Sequence, residues 1–298
     1  MATVVPETPS FGEWFLGLFS HGTLIVSSVY FHIQVWIEIL LGRVPRSDLR
    51  EEAFSRFWTF FTTRPAPDPT SPPPPPTGSA TLAPSLFAQA SGVVLDLGPG
   101  NGAQMPLLAK AAPAIREVYA AEPCVRLHTQ LAAKAREHGL GEKYNILPCS
   151  ASPESLIQTL AKEGLLTGNA DQGIFDTIIC CRVLCSVPDL EETVRGLYRL
   201  LRPGGKLLVC EHVQSPWSKA KGGSFLSRTM QHVYMFLGWK YLIGDCELLR
   251  ETDKVLLEIA EEEEEEEEDV TGWKTPDLKL HFAWSTLPYV SGVLVKKD

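Results

Sequence analysis

A doubly wound α/β sheet preceded by apolar helices is the fold class this sequence predicts, and three observations carry the prediction. The run Val93-Val94-Leu95-Asp96-Leu97 breaks into glycines at 98, 100 and 102, as a buried strand does when it turns sharply into a helix. A second apolar run, Val118 to Ala121, ends in Glu122, 26 residues after Asp96. Beyond it, apolar runs of strand length alternate with amphipathic stretches of helical length, the rhythm of a parallel sheet.

Composition limits what such a domain does. The chain has 298 residues, 44% of them hydrophobic, ample for one α/β core with appendages. Its formal charge of −9 comes from 27 basic and 36 acidic residues, and the unbroken acids Glu261 to Asp269 equal that excess. The remainder is close to neutral, so no basic face for nucleic acid is expected. Seven cysteines without CxxC or Cys/His ligand spacing fit a reducing compartment and argue against both a disulfide framework and a metal site.

In chain order, residues 11–42 are apolar and aromatic, from Phe11 through Leu24-Ile25-Val26 to Leu40-Leu41. The run is long enough to span a bilayer, but His32, Gln34 and Glu38 interrupt it and are costly in hydrocarbon. Arg43, Arg46 and Arg50 follow at once, which suits a monotopic anchor on anionic head groups; a lid packed over the domain is the alternative. No basic region precedes the apolar stretch, so a cleavable signal peptide is not expected. From Asp48 to Thr63 a second helix is expected, capped by Asp48, with Phe54, Phe57, Trp58 and Phe61 on one stripe that packs on a core or lines an apolar entrance. Residues 1–63 thus form an apolar helical segment. Residues 64–91, with consecutive prolines from Pro72 to Pro76, read as an extended linker.

The main domain is expected over 92–298. A helix from Gln104 to Ala112 follows the glycine turn, and another from Cys124 to His138 follows Glu122. A third strand, Tyr144 to Cys149, presents Ser150 and Ala151 at its carboxyl end. The fourth, Phe175 to Cys181, opens into the loop Arg182 to Asp189. A helix from Leu190 to Leu201 stops at Arg202-Pro203-Gly204-Gly205, ahead of a fifth strand, Lys206 to Cys210. A substrate cap over 213–250 and an acidic loop over 260–270 separate these from the last strands, Leu278 to Phe282 and Val290 to Lys296, the final one antiparallel. In such sheets ligands sit at the strands' carboxyl ends, where glycines let the backbone approach and a carboxylate after the second strand accepts ribose hydroxyls. Alone, this unit serves a dehydrogenase as well as a methyltransferase.

Asp96-x-Gly98-x-Gly100-x-Gly102, Glu122, Phe175-Asp176 and Leu201-Arg202-Pro203-Gly204-Gly205 together resemble class I S-adenosylmethionine-dependent methyltransferases, over about residues 92–297. Within that superfamily, Val183-Leu184-Cys185-Ser186-Val187, Glu211-His212-Val213, Gly244-Asp245-Cys246 and the closing Tyr289 to Lys296 resemble the microsomal thiol methyltransferases. The resemblance implies a Rossmann-like sheet of seven strands, S-adenosyl-L-methionine as cofactor and a membrane-associating N-terminal segment. It implies an intracellular protein at the endoplasmic reticulum membrane or a lipid-droplet surface, or else in the cytoplasm. Pro99 stands where the family usually has Cys, and the proline linker and glutamate run are further departures. Carried over by motif, Gly98, Gly100 and Gly102 take the methionine moiety, with Asp96 organising the turn. Glu122 holds the ribose, Ser150 or Ala151 the adenine, and Cys181 and Arg182 close the sulfonium side.

Methyl transfer is an in-line displacement at a sulfonium, so the leaving group needs no acid and the main tasks are placing the nucleophile and excluding water. A thiol acceptor also gains from losing its proton. His212 with Glu211, after the fifth strand, is the pair expected to take and orient that proton; a histidine bonded to the loop backbone is the alternative. His232 and Asp245 in the cap are further candidates, or surface polar residues. Cys185 and Cys246 read as small buried residues, since a direct displacement needs no enzyme nucleophile. Apolar side chains of the cap, Met230, Tyr234, Met235 and Trp239 among them, suit a small apolar substrate. The expected activity is methyl transfer to a small apolar thiol. An oxygen or nitrogen acceptor in a secondary metabolite or lipid is one alternative, and a non-catalytic scaffold retaining the fold is another. No metal and no protein partner are expected, and membrane contact only peripherally, through residues 11–42.

Overall fold

The apolar runs at the centre of the sheet become strands here because helices bury them from both sides. The computed structural model describes residues 2–63, 76–166, 173–218, 222–266, 272–274 and 276–298, with backbone alone over 260–266. The N-terminal segment contains β1 (Thr3–Val4), α1 (Phe11–Phe19), α2 (Gly22–Leu40) and α3 (Leu49–Thr62), then α4 (Ala83–Phe87). Next come β2 (Gly92–Leu97), α5 (Met105–Leu108), β3 (Ile115–Ala121), α6 (His128–Glu137), β4 (Tyr144–Leu147) and α7 (Pro153–Lys162). The second half has β5 (Phe175–Cys181), α8 (Leu190–Leu200), β6 (Leu201–His212), α9 (Phe225–Phe236), α10 (Trp239–Leu242), α11 (Thr252–Glu266), β7 (Asp277–His281) and β8 (Tyr289–Val295).

The strands form one sheet in the order β1-β7-β8-β6-β5-β2-β3-β4. Neighbours are parallel except at β8, which runs antiparallel to β6 and β7. From β2 the chain steps outward through β3 and β4, then returns to build β5 and β6 on the other side, which leaves a crevice at the carboxyl ends of β2 and β5. The expected seven strands are present with the last antiparallel; the eighth is the two-residue β1, added beside β7.

Strand alternation feeds two cores. Leu95, Ile178, Cys180, Leu207 and Val209 face α7, α8 and α11, while Val94, Ile179 and Leu208 face the α4, α5 and α6 side. A third cluster joins Phe57 of α3 and Trp239 of α10 to Cys210 and Tyr289 of the sheet. The helical segment therefore packs on the sheet's carboxyl edge. Helix α2 buries one stripe, Ser28, His32 and Val35, and leaves an apolar face exposed. The Ser28 hydroxyl donates to the Leu242 carbonyl at 2.6 Å. Val26, Tyr30, Ile33, Trp36, Ile37 and Leu40 are exposed.

Four local expectations change. Asp48 sits at the N-terminal cap of α3 but its side chain does not cap; its carboxylate takes Arg126 Nη2 at 2.6 Å instead. The helix after the glycine turn is short: Pro106 lies in its first turn and α5 gives way to a 3-10 turn, Ala109–Ala111. Of the linker, residues 64–75 lie outside the described residues, whereas α4 buries Ala83, Leu86 and Phe87, a core contact no extended linker makes. Glu261 to Glu266 continue α11 rather than looping, because the helix is already anchored by buried Leu256 and Ile259 and glutamate propagates helix well. Residues 267–271 lie outside the described residues.

Candidate active site

After β2 the chain passes through Gly98, Gly100 and Gly102 at φ 58°, 60° and 76°. That left-handed backbone costs an L-residue about 1–2 kcal/mol. At Gly100 space forbids a side chain as well, since a Cβ would stand 2.4 Å from Nε1 of Trp58. The Gly100 N–H donates to Glu122 Oε2 and the Cys124 N–H to Glu122 Oε1, each at 2.8 Å. Glu122 thus ties the turn after β2 to the loop after β3, and each carboxylate oxygen keeps a lone pair for a ligand hydroxyl. Burial raises its pKa against the pull of those two N–H groups.

Asp96 is buried near the end of β2. Its carboxylate accepts from the Tyr144 hydroxyl at 2.8 Å. Burial pushes its pKa up to about 7; the Tyr144 bond opposes the shift, while charge on Cys181 and Glu122 adds to it. Cys181 lies opposite Cys210 in the β5–β6 register. The hydrogen bond with Cys210 and the neighbouring Arg182 hold the Cys181 thiol low, while Cys210 is pushed up. Arg182 is itself strained, at φ 62°, with its guanidinium 5.8 Å from the Trp58 ring and its Nε buried without a hydrogen-bond partner among the described residues.

A cavity of about 790 Å³ lies over the strands' carboxyl ends, within the range of about 300–1,000 Å³ usual for small-molecule sites. Gly98, Gly100, Glu122, Ser150, Ala151 and Arg182 line it. Asp96, Gly102 and Cys181 do not; they line a cleft of about 20 Å³ behind the turn, and Trp58, Gly98 and Arg182 border both spaces. The sequence thus picks out two adjoining compartments, with the Trp58 indole between them.

The far end of the cavity is apolar and aromatic, walled by Phe54, Phe61, Trp239, Ile243, Leu287 and Tyr289. His212 opens into it, but Glu211 does not. Adjacent strand residues point to opposite faces, and the Glu211 carboxylate accepts the Val183 N–H at 2.9 and 3.1 Å. Glu211 therefore holds the loop after β5, and burial pushes its pKa up to about 7. The two do not form a proton-transfer pair. Of the cap candidates, Asp245 borders the cavity and pairs with Arg50 at 2.8 Å, while His232 stacks on Trp217 away from it. Sequence reasoning missed His21, which enters the cavity from the break between α1 and α2, its Nδ1 2.7 Å from Thr286 Oγ1. Burial pulls its pKa down to about 4, so it is neutral near pH 7. The one signal was the interruption Ser20-His21-Gly22 in an otherwise apolar run.

Residues 77–243, more than half of the chain, match the family described as "Methyltransferase domain". A stretch of 84 residues is 38% identical to the human "Thiol S-methyltransferase TMT1B", covering 28% of this chain and 32% of that protein. A stretch of 122 residues is 31% identical to the Rattus norvegicus protein of the same name, covering 41% of this chain and 43% of that one. The matches thus span less than half the length of these curated relatives. Among solved structures, an O-methyltransferase family protein from Burkholderia thailandensis is 14% identical, covering 92% of this chain and 71% of that chain, with a TM-score of 0.48.

Proposed function

The chain belongs to the methyltransferase-domain family, with S-adenosylmethionine as its cofactor, and from that premise we propose that it methylates a small apolar thiol. One observation carries the reading: a single cavity joins the glycine turn and Glu122 to His212 and an apolar far wall. The residues present fit the cofactor. Gly98 and Gly100 bring bare backbone to the cavity's edge, where a Cβ would stand 2.8 Å from Val183 Cγ2 or 2.4 Å from Trp58 Nε1. Glu122 would accept the ribose hydroxyls, Ser150 and Ala151 would border the adenine, and Gly98 and Gly100 the methionine moiety, while Gly102 packs against Leu131 and Lys134. Arg182 would close the sulfonium side.

When bound, the cofactor supplies a methyl group on a sulfonium, which a lone pair displaces without acid assistance. The chain then has to exclude water and manage the acceptor's proton. Phe54, Trp58 and Phe61 exclude water from above the crevice, and His212 stands at the end where an acceptor sulfur would lose its proton. Glu211 acts by positioning the Val183 loop. The names of the curated relatives support a thiol acceptor, and the aromatic wall supports an apolar one.

The test is labelled cofactor offered with a panel of thiols, phenols and amines. Methylated thiols are expected; product confined to phenols or amines overturns the thiol acceptor. Calorimetry with S-adenosylmethionine separates an enzyme from a scaffold that retains the fold, since well-folded protein giving no heat overturns the reading altogether.

The exposed apolar face of α2 supports a second reading, that the helical segment is both lid and peripheral membrane contact. Phe11–Leu40 has the length and mean hydropathy, 1.5, of a bilayer span, while Ser28 and His32 commit one face to the domain. A helix lying in the interface satisfies both. Liposome flotation is expected for the wild type and not for Ile33→Glu/Ile37→Glu; equal flotation refutes the contact.

A further inference from the structure

Cys185, His212 and Cys246 come from three separate parts of the chain: the loop after β5, the end of β6 and the turn after α10. Their ligand atoms all lie within 4.8 Å of one another, and all three residues are buried. Around a zinc ion with ordinary bond lengths, sulfur and nitrogen ligands stand about 3.5–3.8 Å apart, so small side-chain rotations bring these three onto one ion. His212 Nε2 is 3.0 Å from Cys246 Sγ, and the Trp239 indole N–H donates to the same sulfur at 3.1 Å. Ligand thiolates are commonly braced from behind by such a donor. The His212 ring meets Tyr289 edge-on at 6.2 Å, and its Nδ1 is buried with no hydrogen-bond partner among the described residues. All three residues also border the large cavity, so an ion held here has protein on three sides and the cavity on the fourth.

We propose that Cys185, His212 and Cys246 bind one Zn²⁺ whose fourth position opens to the cavity and seats the acceptor sulfur. Two sulfurs and an imidazole nitrogen favour a borderline-soft ion over Mg²⁺ or Ca²⁺, and three protein ligands with an open position are the pattern of a reactive zinc. On binding, each cysteine S–H releases its proton to solvent, and the two thiolates balance the charge of the ion. An acceptor R–SH then bonds to zinc through sulfur and releases its own proton to water; no electron is transferred. His212 serves as a ligand in this arrangement, and the ion takes over the removal of the acceptor's proton. The seat rests on the thiol reading of the function, whereas the metal site does not.

The full-length protein is dialysed against Zn²⁺ and then against metal-free buffer, and zinc per chain is measured by elemental analysis, with Co²⁺ loaded in parallel. One metal per chain is expected, together with intense thiolate-to-cobalt charge-transfer absorption and tetrahedral visible bands. Both are expected to fall by about tenfold or more in Cys185→Ser/Cys246→Ser and to persist in Cys149→Ser, whose buried thiol lies beyond β4 and outside the cluster. Cofactor heat checks that the double variant is folded; if it is not, the wild-type cobalt spectrum decides alone. Wild-type protein that retains no metal, or binds cobalt without thiolate bands, overturns the site. Zinc-stripped protein that methylates thiols at an undiminished rate overturns the seat and leaves thiol methylation standing. Zinc held in protein that methylates no thiol upholds the metal site and overturns both the seat and the proposed function.

Discussion

Replacing Asp96 by Asn is expected to make the protein more stable above neutral pH. The carboxyl is buried and keeps its proton to about pH 7, against an ordinary value of 3.8. Between those limits the unfolded chain has released a proton that the folded chain still holds, so stability falls as pH rises from about 4 to about 7 and is level beyond. Three units at about 1.36 kcal/mol each make a total of roughly 4 kcal/mol. Below the unfolded value the contribution is fully present; above the folded value it is lost. Asparagine keeps an oxygen to accept the Tyr144 hydroxyl and does not ionise. Urea unfolding of both proteins at pH 5 and pH 8 isolates the effect, because two of the three units fall in that window. The variant is expected to gain about 2–3 kcal/mol on the wild type between the two pH values. A difference that does not change with pH, or a variant that loses ground at pH 8, refutes the burial argument.

Gly100→Ala combines left-handed strain of about 1–2 kcal/mol with overpacking against Trp58 of about 1–3 kcal/mol. Urea unfolding is expected to show the sum, and in a Trp58→Ala background Gly100→Ala is expected to cost only the strain share; no cost in that background contradicts the strain. Arg126 joins α3 to the domain through Asp48 at 2.6 Å and Glu52 at 2.7 Å, with its side chain 36% exposed. Arg126→Ala is therefore expected to cost no more than about 1 kcal/mol in unfolding yet to speed amide exchange along α3, a contrast that fades in high salt. Unchanged exchange in α3 at low salt counts against that tether.

The sheet was legible because its signals are local. Apolar runs set β2 to β6, and the three glycines mark their own left-handed turn. The cofactor half of the site shares that locality, since Glu122 closes the strand that follows. The other half was not legible. Cys185, His212 and Cys246 are 27 and 34 residues apart and meet only once the cap folds onto the sheet edge, so ligand spacing along the chain has nothing to register. Treating Glu211 and His212 as a pair confused neighbours in sequence with neighbours in space, although the two-residue period of a strand already separates them. Capping shows the same limit. Asp48 has a capping pattern with Glu51 but a competing arginine from a distant loop, while Ser10 and Glu13, with the same spacing and no such competitor, close a true capping box.

Trp58 borders both compartments of the crevice, yet it belongs to α3 and not to the sheet. The lining groups from the sheet's loops are held by the strands, while the Trp58 wall rides on a layer tied to the domain partly by ion pairs. On the proposed function, loosening the Arg126 tether of α3 is expected to change how quickly spent cofactor leaves and fresh cofactor arrives, and so the multiple-turnover rate.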